Sequence, residues 1–301
     1  MRSMQPQSNN LTPSPSIQSC LLYVNGALTR RHIEAGMQEA SILLQNVTGL
    51  SHTDLYCNLQ QSLSSSETSR LESLLQRRLH HEPLQYITGG SIFYGREFYV
   101  DERVLIPRPE TELIVDIVVA LSADIPGFND HMRIADVGTG SGAIGLTIAS
   151  ELPHSSVLAV DASAEALSVA TINRERQRVR RRVDLVQGDL LSAFDRRLDV
   201  VVANLPYIET ETIQGLSPEV RSFEPRIALD GGADGLRQIC RLVQQARAVL
   251  APGGWLLLEV GVGQSPAVVK LMEAERCWTR ISSRCDLQGI ERIVIGRYSE
   301  A

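Results

Sequence analysis

The sequence predicts an α/β fold: a mostly parallel sheet with helices on both faces, preceded by a small helical domain. Three observations carry this. From Arg133 onward, apolar runs of strand length alternate with helix-length stretches, as a doubly wound sheet requires. The first of these runs, Arg133 to Val137, closes on Gly138, Gly140 and Gly142, which alternate with Thr139 and Ser141 and lead into a helix-like stretch from Ala143 to Ser150. Ahead of that region, residues 20–82 carry helical periodicity and no strand-like run.

Strand, glycine loop and helix N-terminus together make a nucleotide crevice at the carboxyl edge of a sheet. An ordinary helix-capping turn is the plainer reading, but three alternating glycines are costly where no special backbone is needed. Gly138, Gly140 and Ala143 also fit the dinucleotide fingerprint G-x-G-x-x-A, so the glycines alone do not exclude NAD. Asp136 precedes the first glycine by two residues, and Asp161 closes the next apolar run, Val157 to Val160, where an acid suits a ribose diol of either ligand. The pattern D-x-G-x-G-x-G looks more like the S-adenosylmethionine-dependent methyltransferases of the Rossmann-like class. No Walker-type Lys-Ser/Thr follows the loop, which disfavours nucleotide hydrolysis.

The 301 residues have room for one medium domain plus a small one, and 43% hydrophobic with 21% charged residues allows a substantial core. A formal charge of −6 argues against a large basic face, so no stable nucleic-acid partner is expected. The five cysteines, Cys20, Cys57, Cys240, Cys277 and Cys285, form no C-x-x-C pair and read as reduced thiols of a cytoplasmic protein. No segment approaches a transmembrane length or a secretory signal, and no membrane partner is expected; the chain is read as a monomer.

Residues 1–19, rich in Ser, Pro, Asn and Gln, read as a disordered tail. Helices are expected over Thr29 to Asn46, within His52 to Leu63, and over Ser66 to His81, the last with capping chemistry from Ser66, Glu67 and Ser69. This helical domain contains no catalytic constellation and is expected to dock the substrate. His80 and His81 are adjacent rather than on one helical face, so no metal site is expected. Residues 83–109 read as a hairpin linker, with short β-like runs at Leu84 to Tyr86, Ile92 to Tyr94 and Glu97 to Val100, and residues 110–301 as the sheet domain. Pro107, Arg108 and Pro109 fix an extended backbone that suits a loop framing a substrate pocket, or an ordinary helix entry with Pro109 in the first turn.

Within the sheet domain, strands are expected at Val183 to Gly188, Leu198 to Ala203, Trp255 to Val260, Thr279 to Ser283 and Ile290 to Gly296, the last two paired antiparallel. Helices are expected at Ala164 to Glu175, Gly235 to Leu250 and Ser265 to Ala274. The basic run Arg174, Arg176, Arg178, Arg180, Arg181 and Arg182 reads as a solvated helix end rather than an RNA or ribosomal contact.

The strand Leu198 to Ala203 runs directly into Asn204-Leu205-Pro206-Tyr207. Residues at that edge face the crevice. The chemistry suggested is methyl transfer to an amide or amino nitrogen, whose delocalised lone pair needs alignment more than a base. The Asn204 side-chain carbonyl and the Leu205 main-chain carbonyl can each accept one N–H and aim the lone pair at a sulfonium methyl. Pro206 holds Leu205 extended, and Tyr207 offers a flat ring to a planar substrate. A plain β-turn is the competing reading of the tetrapeptide alone.

At this point the chain resembles the release-factor glutamine methyltransferases, the HemK-like proteins. The resemblance runs from Arg77 to Tyr298 and rests on R-R-L-H-H-E-P-L-Q-Y-I-T-G from Arg77, V-L-I-P-R-P-E-T-E from Val104, and D-V-G-T-G-S-G-A-I from Asp136. It continues through N-L-P-Y-I from Asn204, F-E-P-R-I-A-L-D-G-G-A-D-G-L from Phe223, and E-R-I-V-I-G-R-Y from Glu291. It implies an S-adenosylmethionine enzyme of Rossmann-like class I fold that methylates the glutamine of the Gly-Gly-Gln loop in peptide chain release factors. Its cofactor contacts map onto Gly138, Thr139, Gly140, Ser141, Gly142, Asp161, Asp189, Leu190 and Asn204, and its amide contacts onto Asn204, Leu205, Pro206 and Tyr207. Two positions depart from the family: Leu205 stands where it usually has Pro, and Leu190 where a Trp is often seen. The first preserves a main-chain carbonyl but moves the tetrapeptide toward that of ribosomal RNA adenine dimethyltransferases, whose accessory helical domain follows the sheet instead of preceding it. A catalytically dead module that only binds release factors is the third reading.

Overall fold

The computed structural model describes residues 14–124, 131–192, 194 and 197–300. These fall into two compact units divided between Thr88 and Gly89.

The first unit comprises α1 (Ile17–Arg30), α2 (Gly36–Thr48), α3 (His52–Cys57), α4 (Ser65–Leu79) and α5 (Leu84–Thr88). Amphipathic spacing directs Val24, Leu28, Leu43, Leu44, Leu71 and Leu75 into one shared core. Several expectations are corrected here. Helix α1 begins at Ile17, inside the stretch read as tail, because Ser16 accepts a hydrogen bond from the Ser19 N–H as N-cap and Cys20, Leu21 and Val24 bury behind it. The rest of that reading, residues 1–13, lies outside the described residues. The helix expected over Thr29 to Asn46 is interrupted, with α1 ending at Arg30 and α2 starting at Gly36. Leu84 to Tyr86 is helical rather than extended: Pro83 starts the turn, its carbonyl accepts the Tyr86 and Ile87 N–H groups, and Tyr86 and Ile87 bury together. The cap of α4 is Ser64, not Ser66. Its hydroxyl accepts the Glu67 N–H at 3.3 Å, while Glu67 accepts the Ser64 N–H at 2.8 Å, a reciprocal capping box.

The second unit opens with a hairpin, β1 (Ser91–Phe93) and β2 (Arg96–Phe98), then a 3-10 turn at Pro109–Thr111 leading into α6 (Glu112–Asp124). There follow β3 (Met132–Val137), α7 (Ala143–Glu151), β4 (Ser155–Asp161), α8 (Ala164–Arg176), β5 (Val183–Gln187) and β6 (Leu198–Ala203). The chain continues through β7 (Ile208–Glu209), α9 (Pro218–Phe223), β8 (Asp230–Gly232) and α10 (Arg237–Val249), and ends with β9 (Leu250–Glu259), α11 (Ser265–Glu273), β10 (Trp278–Cys285) and β11 (Glu291–Tyr298).

Among the described residues the main sheet runs β10-β11-β9-β6-β3-β4-β5. It is parallel from β9 to β5 and antiparallel where β11 meets β9 and β10. Alternate side chains along each strand feed two cores. Ile134, Val157, Val200, Val202 and Leu257 pack with α6 and α7 on one face. Ala135, Val137, Val201, Leu256 and Leu258 pack with α10 and α11 on the other. Burial on both faces explains why these strands are continuously apolar in sequence. The order reverses at β3, with β4 on one side and β6 on the other, so loops leaving β3 and β6 open a crevice between them.

Of the arginine run, Arg176, Arg178, Arg180 and Arg181 are exposed, as a solvated helix end requires, while Arg174 and Arg182 are partly buried. The Arg174 guanidinium donates to the Val183 carbonyl at 3.2 Å, Arg182 donates to the Ala149 carbonyl, and Arg176 lies over the Tyr99 ring at 5.3 Å.

Ser64→Ala removes the α4 cap and is expected to destabilise the helical unit by about 1 kcal/mol. A denaturant midpoint equal to that of the wild-type chain, followed through the helical signal, would contradict the capping box.

Candidate active site

The crevice is built first on a buried carboxylate. Asp136, at the end of β3 and 0% exposed, accepts hydrogen bonds from the Thr139 hydroxyl at 2.6 Å and the Gly145 N–H at 2.9 Å, both to one oxygen. Burial pushes its pKa up to about 6 against these two donors. Gly145 is glycine for a reason of space, since a Cβ there would stand 2.8 Å from that same oxygen. Asp136 thus ties the strand end, the loop and the first turn of α7 into one unit without reaching the crevice itself.

The loop then turns through Gly138, Gly140 and Gly142, with φ of +75°, +54° and +85°. The Gly138 and Thr139 N–H groups donate to the Val160 carbonyl, and the Gly140 N–H donates to Asp161 at 2.8 Å. The other Asp161 oxygen accepts the Ser163 N–H at 2.9 Å. Burial pushes the Asp161 carboxyl up, opposed by these N–H donors. Asn173, fully buried on α8, donates to the Ser141 and Tyr99 carbonyls and accepts the Tyr99 N–H, clamping the loop from behind.

Of the expected cofactor residues, Gly138, Thr139, Gly140, Ser141, Asp161, Asp189, Leu190 and Asn204 line one cleft. Gly142 is not on its wall and serves as the N-cap of α7. Asp189 is on the rim with its carboxylate held by Arg241 at 2.6 Å. Leu190 is 8% exposed, takes φ +54° and presents an aliphatic wall.

The tetrapeptide closes the opposite wall. The Asn204 side-chain N–H donates to the Thr111 hydroxyl at 3.1 Å, which orients the amide and leaves its carbonyl oxygen uncommitted among the described residues. Leu205 is 4% exposed and its side chain packs against the Gly138 backbone, where a Cβ would lie 3.0 Å from it. Leu205 and Pro206 line the cleft, whereas Tyr207 does not. The Tyr207 carbonyl accepts the Gln264 side-chain N–H at 2.9 Å, and Gln264 accepts the Gly261 N–H at 2.8 Å. Gly231 and Gly235 press on the same backbone: added Cβ atoms would stand 2.7 Å from the Pro206 oxygen and 2.3 Å from the Tyr207 oxygen. The backbone of the tetrapeptide is therefore closely held from outside.

Of the expected substrate residues, Pro107 lines the cleft and Arg108 and Pro109 do not. Arg108 pairs with the buried Glu224 at 2.6 Å, and Pro109 starts the 3-10 turn that carries Thr111. Behind Thr111 and Tyr207 lies Glu259, at the end of β9 and 2% exposed. Burial pushes its pKa up to about 7, opposed by the Thr111 and Tyr207 hydroxyls and by Arg292. The Tyr207 hydroxyl is pushed up to about 12, by burial and then by the Glu259 charge.

Thr111, Glu259, Gln264, Glu224, Gly145, Gly231 and Gly235 were not singled out individually by sequence reasoning. For the glycines a signal existed in the D-G-G-A-D-G-L run, since closely spaced glycines mark close backbone approach. Among the described residues no cluster of His, Cys, Asp and Glu could hold a metal ion, and no helix is long and apolar enough to cross a membrane.

Comparison with known proteins gives the family of the chain. The family model described as PrmC N-terminal domain matches residues 20–89, and the model described as Methyltransferase small domain matches residues 117–216. A release factor glutamine methyltransferase of Geobacter sulfurreducens is 38% identical over 283 residues, covering 94% of this chain and 96% of that protein. One of Gloeobacter violaceus is 40% identical over 259 residues, covering 85% and 89% respectively. Among solved structures, the hMettl16 catalytic domain in complex with a MAT2A 3'UTR hairpin shares the fold, with a TM-score of 0.54 at 15% identity over 77% of this chain and 81% of that one. With relatives this similar along nearly the whole sequence, the chain belongs to the release factor glutamine methyltransferase family and is a methyltransferase.

Proposed function

We propose that this chain transfers a methyl group from S-adenosylmethionine to the side-chain amide of a glutamine, in the Gly-Gly-Gln loop of peptide chain release factors. The observation that carries the reading is Asn204. Its N–H side is taken by Thr111, and it lines the cleft beside Leu205, so the acceptors this pair offers an amide are the Asn204 side-chain oxygen and the Leu205 carbonyl. Two fixed acceptors side by side suit the two N–H groups of a primary amide. The release-factor part of the reading is supported by the names of the relatives.

The residues present fit the cofactor. Gly140 has open space where a Cβ would sit, so a ligand could approach its backbone. Each Asp161 oxygen holds one backbone N–H and retains a lone pair for a hydroxyl. Leu190 supplies an apolar surface for a base. When bound, S-adenosylmethionine supplies an electrophilic methyl on a cationic sulfur. Asn204 and Leu205 then hold the amide so that its nitrogen lone pair points along the transfer direction. Positive charge grows on nitrogen as the N–C bond forms and the C–S bond breaks, and both accepting hydrogen bonds strengthen with it. The nitrogen releases one proton to water afterwards. In-line placement accounts for most of the remaining acceleration. The helical unit, which carries no catalytic constellation, serves in this reading to dock the intact factor.

Asp161→Ala is expected to weaken S-adenosylmethionine binding by roughly 1.5–3 kcal/mol per charged hydrogen bond lost. Calorimetry returning the wild-type affinity would remove Asp161 from the cofactor site. For the reaction, the enzyme is incubated with S-adenosylmethionine and, in parallel, an intact release factor, a short Gly-Gly-Gln peptide and ribosomal RNA. Mass spectrometry is expected to show one added methyl on the glutamine of the factor, with a lower KM for the intact factor than for the peptide. Equal KM values would remove the docking role. A methylated RNA adenine beside an unmodified factor would replace the substrate assignment, and no methylation in any arm would make the protein a binding module.

A further inference from the structure

The Asn204 amide has two ends of similar shape and opposite polarity, and only its oxygen end serves an amide substrate. What fixes the orientation is one hydrogen bond, from the Asn204 N–H to the Thr111 hydroxyl. A hydroxyl is itself two-faced. It accepts from Asn204 only while its own proton is directed elsewhere.

A buried carboxyl at the same sheet edge is the group placed to take that proton. The register of β6 on β9, with Ala203 opposite Leu258, brings the residues just beyond them, Asn204 and Glu259, to the same sheet edge. The Glu259 carboxyl is buried against the Thr111 and Tyr207 hydroxyls, and one of its oxygens lacks any hydrogen-bond partner. The neighbouring cation, Arg292, is bound to Asp286 at 2.9 Å, so it does not saturate Glu259. Glu110, in the same turn as Thr111, adds a like charge, and Arg108 faces Tyr207 from the far side while paired with Glu224. A carboxyl this deep, short of partners and outside the cleft is unexplained by cofactor binding or by amide contact.

We propose that Glu259 is a positioning residue, acting through Thr111 to determine which end of the Asn204 amide faces the substrate; this rests on the amide-methylation reading above. The ionised carboxylate accepts the Thr111 proton, Thr111 accepts the Asn204 N–H, and the Asn204 oxygen is presented to the substrate. A protonated Glu259 no longer requires that arrangement. Thr111 then turns its proton toward Asn204, the amide rotates, and its NH₂ meets the N–H groups of the substrate.

The sign follows. Glu259, with its pKa raised to about 7, is ionised above that value and protonated below it, so turnover is lost as pH falls through about 7. Of the other carboxyls that burial pushes up, Asp136 and Asp161 hold the glycine loop and act through cofactor binding, which saturating S-adenosylmethionine suppresses, and Glu224 pairs with Arg108, so a limb of its own would persist in Glu259→Gln.

The test is kcat for glutamine methylation by the full chain from about pH 5.5 to 9 at saturating S-adenosylmethionine. Wild type is expected to show an acid limb with a midpoint near 7. Glu259→Gln is expected to abolish that limb, and Thr111→Val to lower kcat roughly tenfold or more and flatten the profile, both with unchanged cofactor affinity by calorimetry. Thr111→Ser, which keeps the hydroxyl, is expected to restore rate and limb. An active wild type whose profile persists unchanged in Glu259→Gln, with Thr111→Val as fast as wild type, would overturn the positioning role alone. Where Glu259→Gln fails to fold, as read by its melting, the Val and Ser pair at Thr111 decides. A wild type that methylates no glutamine at any pH would overturn the role together with the reading beneath it.

Discussion

The crevice depends on the contact between Gly138 and Leu205. These residues leave adjacent strands, β3 and β6, at the point where the strand order reverses. They touch because Gly138 has no Cβ, which would otherwise stand 3.0 Å from the Leu205 side chain. The approach sets the separation between the glycine loop and the tetrapeptide. In the proposed methyl transfer, a displacement along one line, that separation fixes how the two reacting groups meet.

The same contact explains how the fold accommodates Leu205, where the resemblance leads one to expect Pro. Its side chain is absorbed into the apolar cluster that includes Val137, Val201, Ala203 and Leu258, and the residue lines the cleft. Rigidity that a second proline would supply comes instead from outside the tetrapeptide. Gln264 grips the Tyr207 carbonyl, and Gly231 and Gly235 admit no movement of the backbone against them. The buried acids fit this pattern. Asp136 holds the glycine loop through two donors, and Glu259 sits behind the amide loop with Thr111 between. Each carboxyl is expensive to bury, and each stands directly behind one of the two loops whose geometry the chemistry needs.

Much of this was legible in the sequence where the cause is local. The parallel strands announce themselves as unbroken apolar runs because both faces are covered, and D-V-G-T-G-S-G places the loop because only glycine takes those φ values cheaply. The errors have local causes too. Ile17 to Val24 was hidden by a polar, proline-containing lead-in, and Leu84 to Tyr86 has strand-like composition but follows a proline well placed to start a helical turn. The α4 cap expected at Ser66 belongs to Ser64, because a run of three serines gives composition no means of choosing. The contact behind Asn204 was out of reach for a different reason. Thr111 lies 93 residues from Asn204, and no spacing rule relates a hydroxyl in a 3-10 turn to an acid at the end of a distant strand.

In the proposed reaction Asn204 acts by alignment and not by holding the cofactor. The most direct measurement pairs S-adenosylmethionine affinity with single-turnover methylation of a release factor in Asn204→Ala. Affinity is expected to stay close to wild type while the rate falls about 10²–10³-fold, the loss typical of one preorganised transition-state hydrogen bond. A variant that methylates the factor at the wild-type rate, or one whose slow turnover is fully restored by raising the cofactor concentration, would contradict it.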